Sequence, residues 1–307
     1  MKLVIATRRS PLARRQAETV ASALVAAHGE FDVELLALSS RGDEITDRAL
    51  APLGGKGLFV TRLERALVER QARLAVHSLK DVPSELPPGF ALAAIPIRAD
   101  PRDVLIVHQD SGIRALGDLP TGAKVGTASL RRQAQLLHAR PDLDVVVLRG
   151  SVETRLARID TCELDATVLA AAGLERLGIT RGIPLAPEVM LPAPGQGALA
   201  VEARADDEEA ITLASALEDR GARVAATAER AFCRALGASC ASPVAALATV
   251  AGDEVRLAVR VLPADGSDRL ATEGTAPGAA AESLGIRLAR DLLARGAGRW
   301  LGDDPPA

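Results

Sequence analysis

Residues 3–29, LVIATRRSPLARRQAETVASALVAAHG, carry the pattern from which the rest of the fold can be read. Residues 3–7 are a short apolar run of strand length. Ser10-Pro11 then offers an N-cap followed by proline at the first helical position, and Gly29 closes the helix. A strand leads directly into a helix, and this pairing recurs downstream. A strand at residues 33–38, a Gly-rich loop, a helix near 58–70 and a strand at 74–78 complete one unit, which the proline-spaced stretch 82–89 ends. From Asp103 the rhythm restarts, with strands near 104–107, 124–126, 145–148 and 167–170 and helices near 130–139, 152–160 and 172–177. Such alternation predicts two α/β units, each built on a mainly parallel sheet.

The stretch 184–197, rich in Pro and Gly, has the composition of a linker. Beyond it the pattern changes. Helices near 207–217 and 222–236 precede strands near 244–250, 255–262 and 269–275, with a closing helix near 279–294. Turns at Gly252-Asp253 and Asp265-Gly266 predict a three-stranded antiparallel sheet in a small α+β unit.

The chain has 307 residues, and a single core stops growing at roughly 250, so two or three domains are expected. A net charge of −3 and 2% aromatic residues give neither a field nor stacking platforms for nucleic acid. Cys162, Cys233 and Cys240 are too few to staple the chain, and their spacing fits neither a zinc site nor a redox pair. The N-terminal apolar run is too short for a signal peptide, and no window is long enough to span a membrane. A cytoplasmic protein is expected. With no heptad seam, a monomer is expected too.

Four constellations could carry chemistry. Leu53-Gly-Gly-Lys-Gly-Leu-Phe59 could turn backbone amides and Lys56 toward an anion, or be a plain surface loop. It lacks the Ser/Thr of a Walker A loop. Val76-His-Ser-Leu-Lys-Asp-Val-Pro83 puts Lys80 and Asp81 beyond the C-terminal end of a strand, where open α/β sheets bind ligands, though a surface ion pair fits equally well. His77 reads as a packed imidazole. Between residues 131 and 158 six arginines face three acidic residues, and Arg131-Arg132 fall in the first turn of a helix, where the dipole disfavours cations. Anion binding at that helix start accounts for them; solvated arginines are the alternative. Cys240 lies in a small-residue loop, and if one thiol is used chemically it is this one. Gly195-Gln-Gly197-Ala-Leu-Ala200 mimics a dinucleotide fingerprint, but it follows a linker and starts no βαβ unit.

Taken in order, ATR-x-S-P-L-A (residues 6–13), GGKGLF (54–59), AVHS-x-KD-VP (75–83), DPRD (100–103), GT-x-SLRRQ (126–133), LRG-x-V-x-TR (148–155), LPA-x-GQGA (191–198) and TAERAF (227–232) with the later Cys240 resemble the porphobilinogen deaminase family over nearly the whole chain. The resemblance implies a transferase that joins four porphobilinogen molecules into 1-hydroxymethylbilane with loss of ammonia. It also implies a dipyrromethane cofactor attached by a thioether to Cys240. The implied fold has two periplasmic-binding-protein-like α/β domains around a cleft, residues 1–97 with 194–216 and residues 98–193, followed by an α+β domain over 217–307. The segment after the second domain would thus return to the first.

The resemblance makes Asp81 the catalytic carboxylate, which stabilises positive charge as ammonia leaves. It implies cofactor binding by Lys80, Asp81, Thr127, Ser129, Arg131, Arg132 and Arg155. Arg8, Ser10, Gln16, Lys56, Phe59, Arg149 and Arg155 would bind substrate, while Asp43 matches with a less defined role. No metal is implied. Another reading of the arginines is a non-catalytic two-lobe protein that binds small carboxylate anions; the absent signal peptide and the third domain with its cysteine loop argue against it. A cysteine-nucleophile transferase would need a base near Cys240, and no histidine lies in that part of the sequence.

Overall fold

The computed structural model describes residues 2–29, 32–39, 60–239 and 242–301. In chain order the first elements are β1 (Lys2–Arg8), α1 (Pro11–His28), β2 (Asp32–Leu38), α2 (Thr61–Val68), β3 (Leu74–Ser78) and β4 (Phe90–Ala94). Then come β5 (Asp103–Val107), β6 (Lys124–Gly126), α3 (Leu130–Ala139), β7 (Asp144–Val146), α4 (Val152–Asp160), β8 (Ala166–Ala170), α5 (Ala171–Arg176) and β9 (Ile183–Pro184). The chain continues with β10 (Leu199–Arg204), α6 (Glu208–Ser215), α7 (Arg220–Leu236), β11 (Val244–Ala251), β12 (Glu254–Val261), β13 (Leu270–Pro277) and α8 (Ala281–Ala294).

Two five-stranded sheets form, in the orders β2-β1-β3-β10-β4 and β7-β6-β8-β5-β9, together with the antiparallel sheet β11-β12-β13. The expected α/β class with a three-stranded antiparallel C-terminal sheet is therefore present. The expectation of mainly parallel sheets holds with one exception in each, since four of the five strands share a direction and one is reversed. In the first sheet β1 pairs parallel with β2 and β3, but β10 runs antiparallel to both β3 and β4. In the second, β6 pairs parallel with β7 and β8, whereas β5 runs antiparallel to β8 and β9. The strands that enter from the connecting segments arrive from the opposite direction, and strand alternation along the sequence cannot register that.

β10 explains the arrangement physically. Its residues Leu199–Ala203 are buried, as a strand flanked on both sides requires. Ala210 and Ala214 of α6 then pack into the same core as Leu3, Val20, Leu74 and Val201. β4 and β9 escaped the sequence pattern because prolines lie within or close to them, and both sit at a sheet edge, where proline is tolerated. In the C-terminal sheet, alternate residues of β12 (Val255, Leu257, Val259, Val261) meet Phe232 of α7 and Leu284, Leu288 and Leu292 of α8. Among the described residues no helix is long and apolar enough to cross a membrane.

Candidate functional site

β1 and β3 run side by side in parallel, so Arg8 and Ser78 reach the same edge of the first sheet. There the chain turns sharply through Leu79–Asp81. That turn swings Lys80 and Asp81 out of the alternation of the strand. The same edge receives the start of α1. The Ser10 side chain caps this helix by accepting from the Ala13 N–H at 3.3 Å, and the buried Gln16 donates to the Ser78 hydroxyl at 2.9 Å. Gln16 thus ties the helix to the strand that carries the turn.

The second sheet contributes Asp103 at the start of β5 and the first turn of α3. Ser129 is the N-cap of α3, accepting from Arg132 N–H at 3.5 Å, and Thr127 Oγ1 accepts from Ser129 N–H at 3.1 Å. Arg131 and Arg132 are 4% and 6% exposed, so neither is solvated. Arg131 donates to Asp103 Oδ2 and the Leu191 carbonyl, both at 2.7 Å. Arg132 donates through Nε and Nη2 to Asp103 Oδ1 at 3.0 and 2.8 Å, and through Nη1 to the Val168 carbonyl at 2.8 Å.

The arginine pair at this helix start therefore has a counter-ion within the chain. A carboxylate of the protein itself holds both guanidinium groups, and a serine oxygen already occupies the cap. Burial alone would raise the Asp103 carboxyl, yet Arg131 and Arg132 outweigh it and hold the group far below the usual carboxylate range. Asp103 therefore stays ionised. DPRD was visible as a motif, but its last residue received no role. The signal was available: a charge excess of this kind, once buried, demands a counter-ion from elsewhere in the chain.

Lys80 faces this cluster. Burial, followed by the charge of Arg132, pushes its ammonium down to about 8, while Asp81 and Asp103 pull the other way. Arg155 donates to the Gly150 carbonyl at 3.0 Å. Burial, then Arg132 and Arg149, push Arg155 down to about 10. Lys80, Arg131 and Arg132 thus meet around Asp103, Asp81 interacts with Lys80, and Arg155 and Arg149 extend the positive charge beside Arg132. The surplus of positive charge fits a ligand that carries several carboxylates. A dipyrromethane carries four, one acetate and one propionate on each ring, so the donor set suits that group.

His77 does not join the cluster. Its Nε2 lies 2.9 Å from Glu202 Oε2 with both side chains buried, in keeping with a packed imidazole. The Gly195–Ala200 run leads into a strand instead of a helix, in keeping with its rejection as a dinucleotide fingerprint. Lys56, Phe59, Asp43 and Cys240 lie outside the described residues.

Sequence reasoning also missed the polar joints between the units. Glu229, in the TAERAF motif on α7, is fully buried. It accepts from Arg98 at 2.7 Å, from the Gly195 N–H at 2.6 Å and from the Ala248 N–H at 2.7 Å. Arg176 donates to the Gly197 carbonyl at 2.8 Å.

Comparison with known proteins bears on these groups. Residues 3–212 match a family described as porphobilinogen deaminase, dipyromethane cofactor binding domain, and residues 224–294 match the C-terminal domain of porphobilinogen deaminase. The chain is 49% identical over 301 residues to the porphobilinogen deaminase of Syntrophotalea carbinolica, covering 97% of this chain and 95% of that protein. It is 49% identical over 299 residues to that of Stenotrophomonas maltophilia, covering 97% and 98%. With that of Chromobacterium violaceum it shares 47% over 298 residues, covering 96% of each.

Proposed function

Because the chain belongs to the porphobilinogen deaminase family, we propose that it condenses four porphobilinogen molecules into 1-hydroxymethylbilane at the group centred on Asp81, on a primer held by Cys240. The observation that carries this reading is the excess of cations at the site: Arg131 and Arg132 on Asp103, Lys80 facing Asp81 and Asp103, and Arg155 with Arg149 beside Arg132. A growing polypyrrole adds an acetate and a propionate with every ring, and arginine forks match carboxylates in two-point geometry.

In this reading Lys80, Arg131, Arg132 and Arg155 hold the carboxylates of the primer, with hydrogen bonds from the region of Thr127 and Ser129. When bound, the dipyrromethane supplies the nucleophilic pyrrole carbon to which the first unit is joined. Asp81 lies in the turn beside Lys80 and presents a fixed carboxylate to pyrrole N–H groups. It stabilises positive charge that develops as ammonia departs, and a preorganised group of this kind acts without reorganising at the moment of reaction. Arg8, Ser10, Gln16, Arg149 and Arg155 receive the incoming unit, joined by Lys56 and Phe59. The three units assigned to residues 1–97 with 194–216, 98–193 and 217–307 are supported by β10 lying between β3 and β4. The protein acts as a cytoplasmic monomer on a small molecule, without nucleic acid or membrane; its small net charge supports the absence of a nucleic-acid partner.

Intact-protein mass spectrometry tests the reading. The expected result is a covalent adduct of two linked pyrrole units, mapped to Cys240 by digestion. A fully active protein without an adduct would refute it.

A further inference from the structure

Gln196 lies in the segment that crosses back from the second sheet to the first, and it is 1% exposed. Its Nε2 donates to the Pro101 carbonyl at 2.8 Å and to Asp103 Oδ1 at 3.1 Å, while its Oε1 accepts from Lys80 Nζ at 3.2 Å. The orientation of this amide is forced: a carbonyl and an ionised carboxylate can only accept, and an ammonium can only donate.

The backbone around it is clamped as well. Arg98 Nε donates to the Gln196 carbonyl at 2.8 Å. Gly195 has φ +75°, and a Cβ there would lie 3.0 Å from Lys80 N. At Gly197, with φ +89°, a Cβ would lie 2.5 Å from the Ala99 carbonyl oxygen. The glycines let this segment press against the Lys80 turn on one side and the outgoing crossing on the other. Gln196 thereby bonds both Lys80 and Asp103 through one amide.

We propose that Gln196 is a positioning residue for the condensation reaction, its amide holding the Lys80 ammonium in register with the Asp103–Arg131–Arg132 cluster across the two crossings. The inference rests on the reading of Lys80 as a ligand of the primer carboxylates. The charges that face Lys80 are Asp81 in its own turn, Asp103 on β5, and Arg131 and Arg132 on α3. In that cationic setting an accepting amide oxygen favours the charged amine, so its loss lowers the pH at which Lys80 gives up its proton.

The test uses purified holoenzyme of the wild type, Gln196→Met and Gln196→Glu. Adduct occupancy is read by intact mass and kcat/KM is measured from pH 6.5 to 9.5. Methionine preserves length but offers no amide acceptor. The expected result is an alkaline limb about one pH unit lower, the scale of one lost charge-assisted hydrogen bond, with the adduct retained. Glutamate keeps an oxygen toward the ammonium but sets a second acceptor against the Pro101 carbonyl and Asp103, so it lowers the maximum of kcat/KM while its alkaline limb stays at or above that of the wild type. An unmoved limb in Gln196→Met at equal occupancy, or a limb in Gln196→Glu that falls as far as in Gln196→Met, would overturn the proposal alone. A wild-type protein without any adduct would overturn the reading beneath it and the proposal together.

Discussion

Asp103→Asn removes one negative charge and almost no volume from the centre of the site. In the wild type this carboxylate is fully buried and accepts from Arg131, Arg132 and Gln196. Asparagine leaves two buried guanidinium groups without their counter-ion. Breaking a buried pair by removing one partner costs about 3–5 kcal/mol, a large share of the roughly 5–15 kcal/mol that holds a typical domain together. With a urea m-value of about 3 kcal/mol/M, the unfolding midpoint followed by circular dichroism should fall by about 1–1.7 M at pH 7.5. The sign of the pH dependence is fixed as well. The folded carboxyl titrates below its unfolded value, so its stabilisation is fully present above the unfolded value of about 4 and is lost as pH falls toward the folded one. The gap between wild type and variant should be flat from pH 8 to 5 and narrow below pH 4. Apoprotein should suffer more than holoprotein, because the carboxylates of a bound primer return counter-charge to the arginines. A midpoint shift under 0.3 M, or a gap that persists undiminished at pH 3, would refute the argument that Asp103 acts through its charge.

Asp81→Asn should keep the fold and the adduct and lower kcat by roughly a hundredfold or more; turnover assays on protein of verified mass check this, and unchanged turnover would remove Asp81 from the centre of the reaction. Gly195→Ala forces a side chain against the Lys80 backbone at a positive φ, and should destabilise the protein by about 1–3 kcal/mol while lowering kcat. Thermal melts and kinetics on the same preparation decide it. Burial, then the nearby Glu202, raises the Glu64 carboxyl, with His77 opposing. A carboxyl raised in the folded state weakens stability as pH climbs past its unfolded value. Glu64→Gln should therefore stabilise by about 0.5 kcal/mol at pH 8, a figure reduced for solvent screening, and have no such effect at pH 4.

The strand–helix alternation, the linker composition and the three C-terminal strands were legible in the sequence because each rests on local periodicity, caps and turns. Strand direction was not. β10 lies antiparallel between β3 and β4 because the chain returns across the second unit, and nothing local to residues 199–204 encodes which neighbours it meets. Lys80 and Asp81 stood out through their place at a strand end, and Arg131-Arg132 through their conflict with the helix dipole.

The sequence by itself determined the family, the alternating architecture and the residue types gathered at the site. Only the tertiary structure decided how charge is balanced there. Asp103 lies 28 positions from Arg131 and Gln196 lies 116 from Lys80. Burial makes those distant partners obligatory, because a charge removed from water must find an opposite charge or a hydrogen bond. Local pattern records the need for such a partner but not its address. The tertiary fold supplies the address by bringing both crossings between the sheets against the start of α3.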